Sequence, residues 1–195
     1  MKVQISDIQL LLAAIESKGM LISEVIDLIN GGVKQQKRNK LSLPINKIKL
    51  IVDYSKTIDQ AIDDGSYADI HFDITAENFP ILNDVDGLPV AICGKLFHFN
   101  RDDISSEDAI KRMGRAGYRP AKIRELLALG AAHPELQMKF LIVALGSVFS
   151  PPKQSPSVDL RVVPALEVVS GRRKIGLLNF VGGWNIKVLF FGILK

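Results

Sequence analysis

The residues from Phe140 to Lys195 constrain the fold more than any other part of the chain. They form short apolar runs divided by Gly and Pro, carry only two acids (Asp159 and Glu167), and close on Val188-Leu189-Phe190-Phe191-Gly192-Ile193-Leu194-Lys195. A chain that stops on its most hydrophobic run has to pair and bury that run, because a loose apolar edge invites association with other chains. Phe140 to Phe149, Leu160 to Val169, Arg173 to Val181 and Trp184 to Leu194 therefore read as strands, separated at Pro151-Pro152, Ser170-Gly171 and Gly182-Gly183. Trp184, Ile186, Val188 and Phe190 fall on one side of the last strand and read as core. Asn185, Lys187, Leu189 and Phe191 fall on the other, and its polar start is the expected place for function.

Upstream the pattern changes period. Ile5, Ile8, Leu11, Leu12 and Ile15, then Ile22, Val25, Ile26 and Ile29, recur at helical spacing around Gly19 and end at Gly31-Gly32. Residues 1–33 are expected to form a helical hairpin, too small to bury both faces alone, that packs on the next domain or joins two copies of the chain. Residues 34–46, polar and basic with Pro44, read as a linker, and residues 47–195 as an α+β domain. Within it, Lys47 to Tyr54 alternates as a strand, and Ser55 or Thr57 caps a helix through Ile58 and Ile62 to Gly65. Val90 to Phe99 reads as a strand, and Ser105 opens a helix that Gly117 closes. The next helix is predicted to begin after Arg119, with Pro120 in its first turn, and to reach about Ala132.

Hydrophobic residues make up 47% of the chain and charged ones 24%, which excludes wholesale disorder. No apolar stretch reaches about 18 residues without a charge, so no membrane span is predicted. The first residues lack the pattern of a signal peptide. The single cysteine, Cys93, rules out an internal disulfide and fits a reducing compartment, so a cytoplasmic location is expected. Charge is segregated: residues 34–52 hold six bases and no acid, whereas residues 53–86 hold nine acids and only Lys56. The two stretches can compensate each other, or the first can serve as a nucleic-acid contact.

The catalytic inventory is sparse. His71-Phe72-Asp73 and His98-Phe99-Asn100 each put a His and a polar residue on one face, as metal ligands could lie, yet a third ligand at a recognisable spacing is missing. Asp63-Asp64 and Asp102-Asp103 read as capping or solvated acids rather than an acid–base pair. Cys93 sits in an apolar run that reads as a buried strand. The Gly182-Gly183 turn can present Trp184, and Tyr118-Arg119 and Arg172-Arg173-Lys174 read as connections.

The segments Gly117-Tyr118-Arg119-Pro120-Ala121-Lys122-Ile123-Arg124-Glu125-Leu126-Leu127-Ala128-Leu129-Gly130 and Ile142-Val143-Ala144-Leu145-Gly146-Ser147, with Val52-Asp53-Tyr54-Ser55 and Phe97-His98-Phe99-Asn100-Arg101, resemble a recurrent family of uncharacterised bacterial and phage proteins. That resemblance covers about residues 47–195 and implies no activity. The Arg119-Pro120-Ala121 approach to a helix carrying Glu125, followed by a β region with Gly and Trp, resembles the C-type-lectin-like fold of formylglycine-generating enzymes and retroelement-diversified variable proteins. The variable proteins display their ligand-binding residues on C-terminal strands, which implies a display surface within Leu178 to Leu189 here. The enzymes' cysteine pair is missing, so their oxidase activity is not implied.

Together these readings predict a non-enzymatic binding or protein-interaction module without cofactor or metal. Its expected contact residues are Trp184, Asn179, Asn185 and Lys187, and its expected partner is a protein or a small ligand. One rival is a nucleic-acid-associated protein using residues 34–49 and Arg172 to Lys174. The other is a hydrolase-like enzyme built on His71, Asp73 and His98.

Overall fold

The computed structural model describes residues 47–80, 89–152 and 160–195, all within one compact unit that spans Pro44–Lys195. The helical hairpin expected over 1–33 and the linker over 34–46 lie outside the described residues. The elements run β1 (Ile48–Asp53), α1 (Ile58–Gly65), β2 (Asp69–Ile70), β3 (Pro89–Phe97), β4 (Ile104–Ser105), α2 (Ser106–Arg115), β5 (Tyr118–Pro120), α3 (Ile123–Ala132), α4 (Pro134–Gln137), β6 (Leu141–Val143), β7 (Val162–Val169), β8 (Arg172–Asn179), β9 (Gly183–Trp184) and β10 (Val188–Leu194). The fold is α+β. Its mixed sheet has the order β1-β3-β10-β6-β7-β8-β2, and β5 also pairs with β10.

The apolar terminal run becomes the centre of this sheet. Antiparallel β3 occupies one edge of β10 over Phe190–Ile193; the other edge takes parallel β6 over Val188–Phe190 and antiparallel β5 over Gly192–Leu194. Both faces are covered as well. Leu189, Phe191 and Ile193 join a core with α1 and α3 residues such as Ile58, Ile62, Ile123 and Leu127, while Val188 and Phe190 join a second core with Ala109 and Met113 of α2 and with Trp184. Such a strand has no polar face to offer. Burying one large apolar side chain contributes about 1.5–3 kcal/mol, so Phe190 and Phe191 alone bind the two layers to the sheet firmly.

Local chemistry explains most of the boundaries. Thr57 caps α1, its side chain accepting from the Gln60 N–H at 3.2 Å while the Gln60 side chain accepts from the Thr57 N–H at 2.9 Å. Ser105 caps α2 through the Asp108 N–H at 3.1 Å. Pro164, inside β7, is tolerated because β6 pairs only with Ala165 and Leu166 and stops short of it.

Three expectations need correction. Pro120 does not start a helix: Tyr118–Pro120 is drawn into β5 by the free edge of β10, and α3 begins at Ile123. The strand expected over Phe140 to Phe149 is cut to Leu141–Val143, because Ala144 to Ser147 turns onto α3. There the Gly146 N–H donates to the Ala121 carbonyl at 2.9 Å, and Ser147 Oγ accepts from the Ile123 N–H at 3.0 Å. A Cβ on Gly146 would sit 2.6 Å from that same carbonyl oxygen, which only glycine permits. The run from Trp184 to Leu194 is two strands rather than one: Trp184 pairs with Ile104, and residues 185–187 bend away.

Candidate functional site

Two adjacent charged residues in the first turn of α3, Arg124 and Glu125, are both buried and both reach the loop after β1. Glu125 is completed. One carboxylate oxygen accepts from Tyr54 Oη at 2.7 Å and Arg119 Nη2 at 2.5 Å; the other accepts from Arg119 Nη1 at 3.0 Å and the Lys122 N–H at 2.7 Å. The forked arginine bond and the backbone amide hold the charge where water does not reach, so Glu125 is a staple between α3, β5 and the end of β1. Burial, reinforced by the bond to Glu125 and its charge, pushes the Tyr54 phenol well above the ordinary tyrosine range. The bond to Glu125 likewise raises the Arg119 guanidinium.

Arg124 is left incomplete. Its Nη1 donates to the carbonyls of Tyr54, at 3.4 Å, and Lys56. Its Nη2 is buried and has no acceptor among the described residues, and the residue is only 8% exposed. Desolvation lowers its pKa and nearby Asp53 opposes that shift; a guanidinium stays charged in either case. A buried donor without a partner costs about 1–3 kcal/mol, and more when charged.

Arg124 lines a half-open cavity of about 520 Å³ between β1, α1 and α3. Ala61, Ala128, Ala131 and Ala132 give it small apolar walls, and Ile51, Val52 and Asp53 form its β1 side. Its other charges are engaged. Lys56 Nζ pairs with Asp64 at 2.6 Å, which raises the lysine pKa, and Asp53 accepts from the Ser55 hydroxyl and N–H, which lowers its own.

The residues expected from the sequence lie elsewhere. Trp184 is in the second core, its Nε1 donating to Ser106 Oγ at 2.8 Å and that hydroxyl donating to the Phe180 carbonyl at 2.7 Å. Asn179, Asn185 and Lys187 are exposed, and both asparagine oxygens accept from backbone N–H groups two residues on, at 3.0 and 2.9 Å, shaping turns. The exposed Asp102 fixes a loop in the same way, accepting from the Ile186 N–H. His98 Nε2 donates to the Ile186 carbonyl at 2.5 Å, beyond the end of β3, whereas His71 follows β2 at the far edge, with Asp73 at 3.9 Å. Five strand steps separate β3 from β2, about 24 Å, so the histidines do not converge. Among the described residues no group of three His, Cys, Asp or Glu side chains could hold a metal ion.

Cys93 is a half-buried free thiol. Of the basic turn, Arg173 and Lys174 are engaged inside the fold, Lys174 with Asp69 and Glu167. Lys47 and Lys49 are exposed, and the remainder of the basic stretch lies outside the described residues. Among those described, no helix is long and apolar enough to cross a membrane.

Sequence reading missed Arg124, Lys56 and Tyr54. A signal was present: Arg124, Ala128, Ala131 and Ala132 recur at i, i+4, i+7 and i+8, a stripe of small residues headed by one cation on a helix whose other charge is Glu125. The groups that this stripe faces come from residues some seventy positions away. Comparison with known proteins gives no matching family model, no matching curated protein and no matching solved structure.

Proposed function

We propose that the chain is a binding module whose ligand brings a monoanionic group, a carboxylate by preference, into the cavity beside Arg124. The observation that carries this reading is the buried Arg124 Nη2, without an acceptor among the described residues, in a residue that lines a half-open cavity. A carboxylate would supply the missing acceptor with the geometry a guanidinium favours. The alanine walls suit a small apolar body behind that group.

Binding fits better than proton transfer. Lys56 pairs with Asp64, which raises the lysine further above neutrality, and Asp53 is held below the ordinary carboxylate range by Ser55, so neither Lys56 nor Asp53 is tuned toward neutral pH as a general acid or base would be. The expected display surface at Asn179, Asn185 and Lys187 is the weaker place for a ligand, because its asparagines already hold turns.

The test is an NMR titration of the full chain with propionate and, at the same ionic strength, with neutral propionamide. Propionate alone should shift the amides of Ile51 to Asp53, Lys56 and Ala128, and Arg124→Met should remove the effect. Equal shifts with propionamide, or none with either, would sink the reading.

A further inference from the structure

The other charges around the cavity narrow the ligand further. Pro89, the register partner of Asp53, also lines it, so the cavity lies at the helix-covered end of the β1–β3 ladder. Four charged residues line it, Asp53, Lys56, Asp64 and Arg124, and their formal charges cancel. A simple carboxylate would answer Arg124 but would leave this neutral enclosure with one net negative charge beside two acids. Charge taken out of water is costly unless it is compensated where it lands. A ligand that carries its own cation keeps the sum at zero.

Asp53 is the place for that cation. Both hydrogen bonds that it accepts from Ser55, at 3.0 and 2.5 Å, fall on Oδ1, and a carboxylate has acceptor sites on each oxygen, so Oδ2 keeps capacity to spare. Lys56 Nζ is committed to Asp64 at 2.6 Å. The carbonyls of Tyr54 and Lys56 hold Arg124, so one four-residue stretch, 53–56, positions both opposite charges, and Asp53 is near enough for its charge to act on the guanidinium. Charges set this close match an α-amino acid, whose carboxylate and ammonium leave the same carbon, better than one with a longer spacer. Ala61, Ala128, Ala131 and Ala132 offer its side chain an apolar wall, which suits a short aliphatic group. Resting on the proposed anion site, we infer that the cavity binds a free α-amino acid with a short aliphatic side chain, its carboxylate on Arg124 Nη2 and its ammonium on Asp53 Oδ2.

L-Alanine and propionate differ only by the ammonium group, and the pair separates this inference from the reading beneath it. Each is titrated into the full chain at pH 7 and fixed ionic strength, followed by the NMR shifts of the Asp53, Lys56 and Ala128 amides. L-Alanine should bind at least about tenfold more tightly than propionate. Asp53→Asn, which keeps an oxygen for Ser55, should remove that advantage and leave the affinity for propionate unchanged or higher, a pattern that a disturbed loop would not give. Arg124→Met should abolish binding of both.

If propionate binds in an Arg124-dependent manner and L-alanine binds no more tightly, or keeps its advantage in Asp53→Asn, the amino-acid inference falls and the anion site stands. A gain as large for 4-aminobutyrate over butyrate would overturn the α assignment. If neither L-alanine nor propionate binds, both readings fall together.

Discussion

Arg124 and Arg173 are two arginines that reach backbone carbonyls, and they end in opposite states. Arg173 commits its whole guanidinium. Nε donates to Gln137 Oε1 at 3.0 Å, Nη1 to the Gly65 carbonyl at 2.7 Å and Nη2 to the Gly130 carbonyl at 2.6 Å, and the plane lies 4.7 Å over the Tyr67 ring. The Gly65 carbonyl belongs to the last turn of α1 and the Gly130 carbonyl to that of α3, where a cation also meets the negative end of each helix dipole. Gln137 carries the link onward, its amide donating to the Glu167 and Lys174 carbonyls at 2.8 Å each. Arg124 uses Nη1 and leaves its buried Nη2 without an acceptor among the described residues. A completed arginine is a structural bolt, whereas an incomplete one beside open space is a place where something else fits.

Substitutions can break this contrast, and the largest effect is expected where completion is greatest. Glu125→Ala should cost about 3–5 kcal/mol in urea unfolding, because it strands Arg119, Tyr54 and the Lys122 amide together. Arg173→Ala should come next at about 3 kcal/mol, since three hydrogen bonds and the packing on Tyr67 vanish at once. A loss below about 1 kcal/mol at Arg173 would make its bonds ornamental and remove one side of the comparison.

Arg124→Met sharpens the other side. It gives up bonds to two carbonyls but also removes a buried unpaired donor, so stability should move by less than about 1 kcal/mol while propionate binding is lost. A loss as large as that of Arg173→Ala would make Arg124 a bolt too.

The same contrast separates the features that are legible in the sequence from those that are hidden. Local signals were readable: Thr57 and Ser105 cap helices, and the apolar run Val188 to Ile193 is buried as its composition requires. Boundaries set by distant partners were not. Tyr118–Pro120 is a strand only because β10 offers an edge, and Ala144–Ser147 leaves the sheet only because α3 needs its Ile123 amide satisfied. These segments carry the two motifs most noticeable in the sequence, Gly117 to Gly130 and Ile142 to Ser147, and the structure interlocks them: Gly146 and Ser147 hold the start of α3. The candidate site was the least visible. Arg124 meets Lys56 across 68 positions, and a missing hydrogen bond leaves no trace in a residue string.

The smallest expected effect is a pH dependence at the bolted end. Burial pushes the Tyr67 phenol up to about 12, against the opposing pull of the Arg173 charge. The folded chain therefore keeps this proton at a pH where the unfolded chain, with a phenol near its ordinary value of about 10, gives it up. Between those two values the native state binds more protons than the unfolded one, so stability falls as pH rises; the contribution is whole below pH 10 and gone above about 12. Tyr67→Phe should cost little near pH 8, where only the 3.3 Å hydrogen bond to the Leu127 carbonyl is lost. It should also make the decline in urea midpoint between pH 10 and 12 shallower than in the parent. Parallel declines would mean that Tyr67 titrates normally and that the ring beneath Arg173 is open to water.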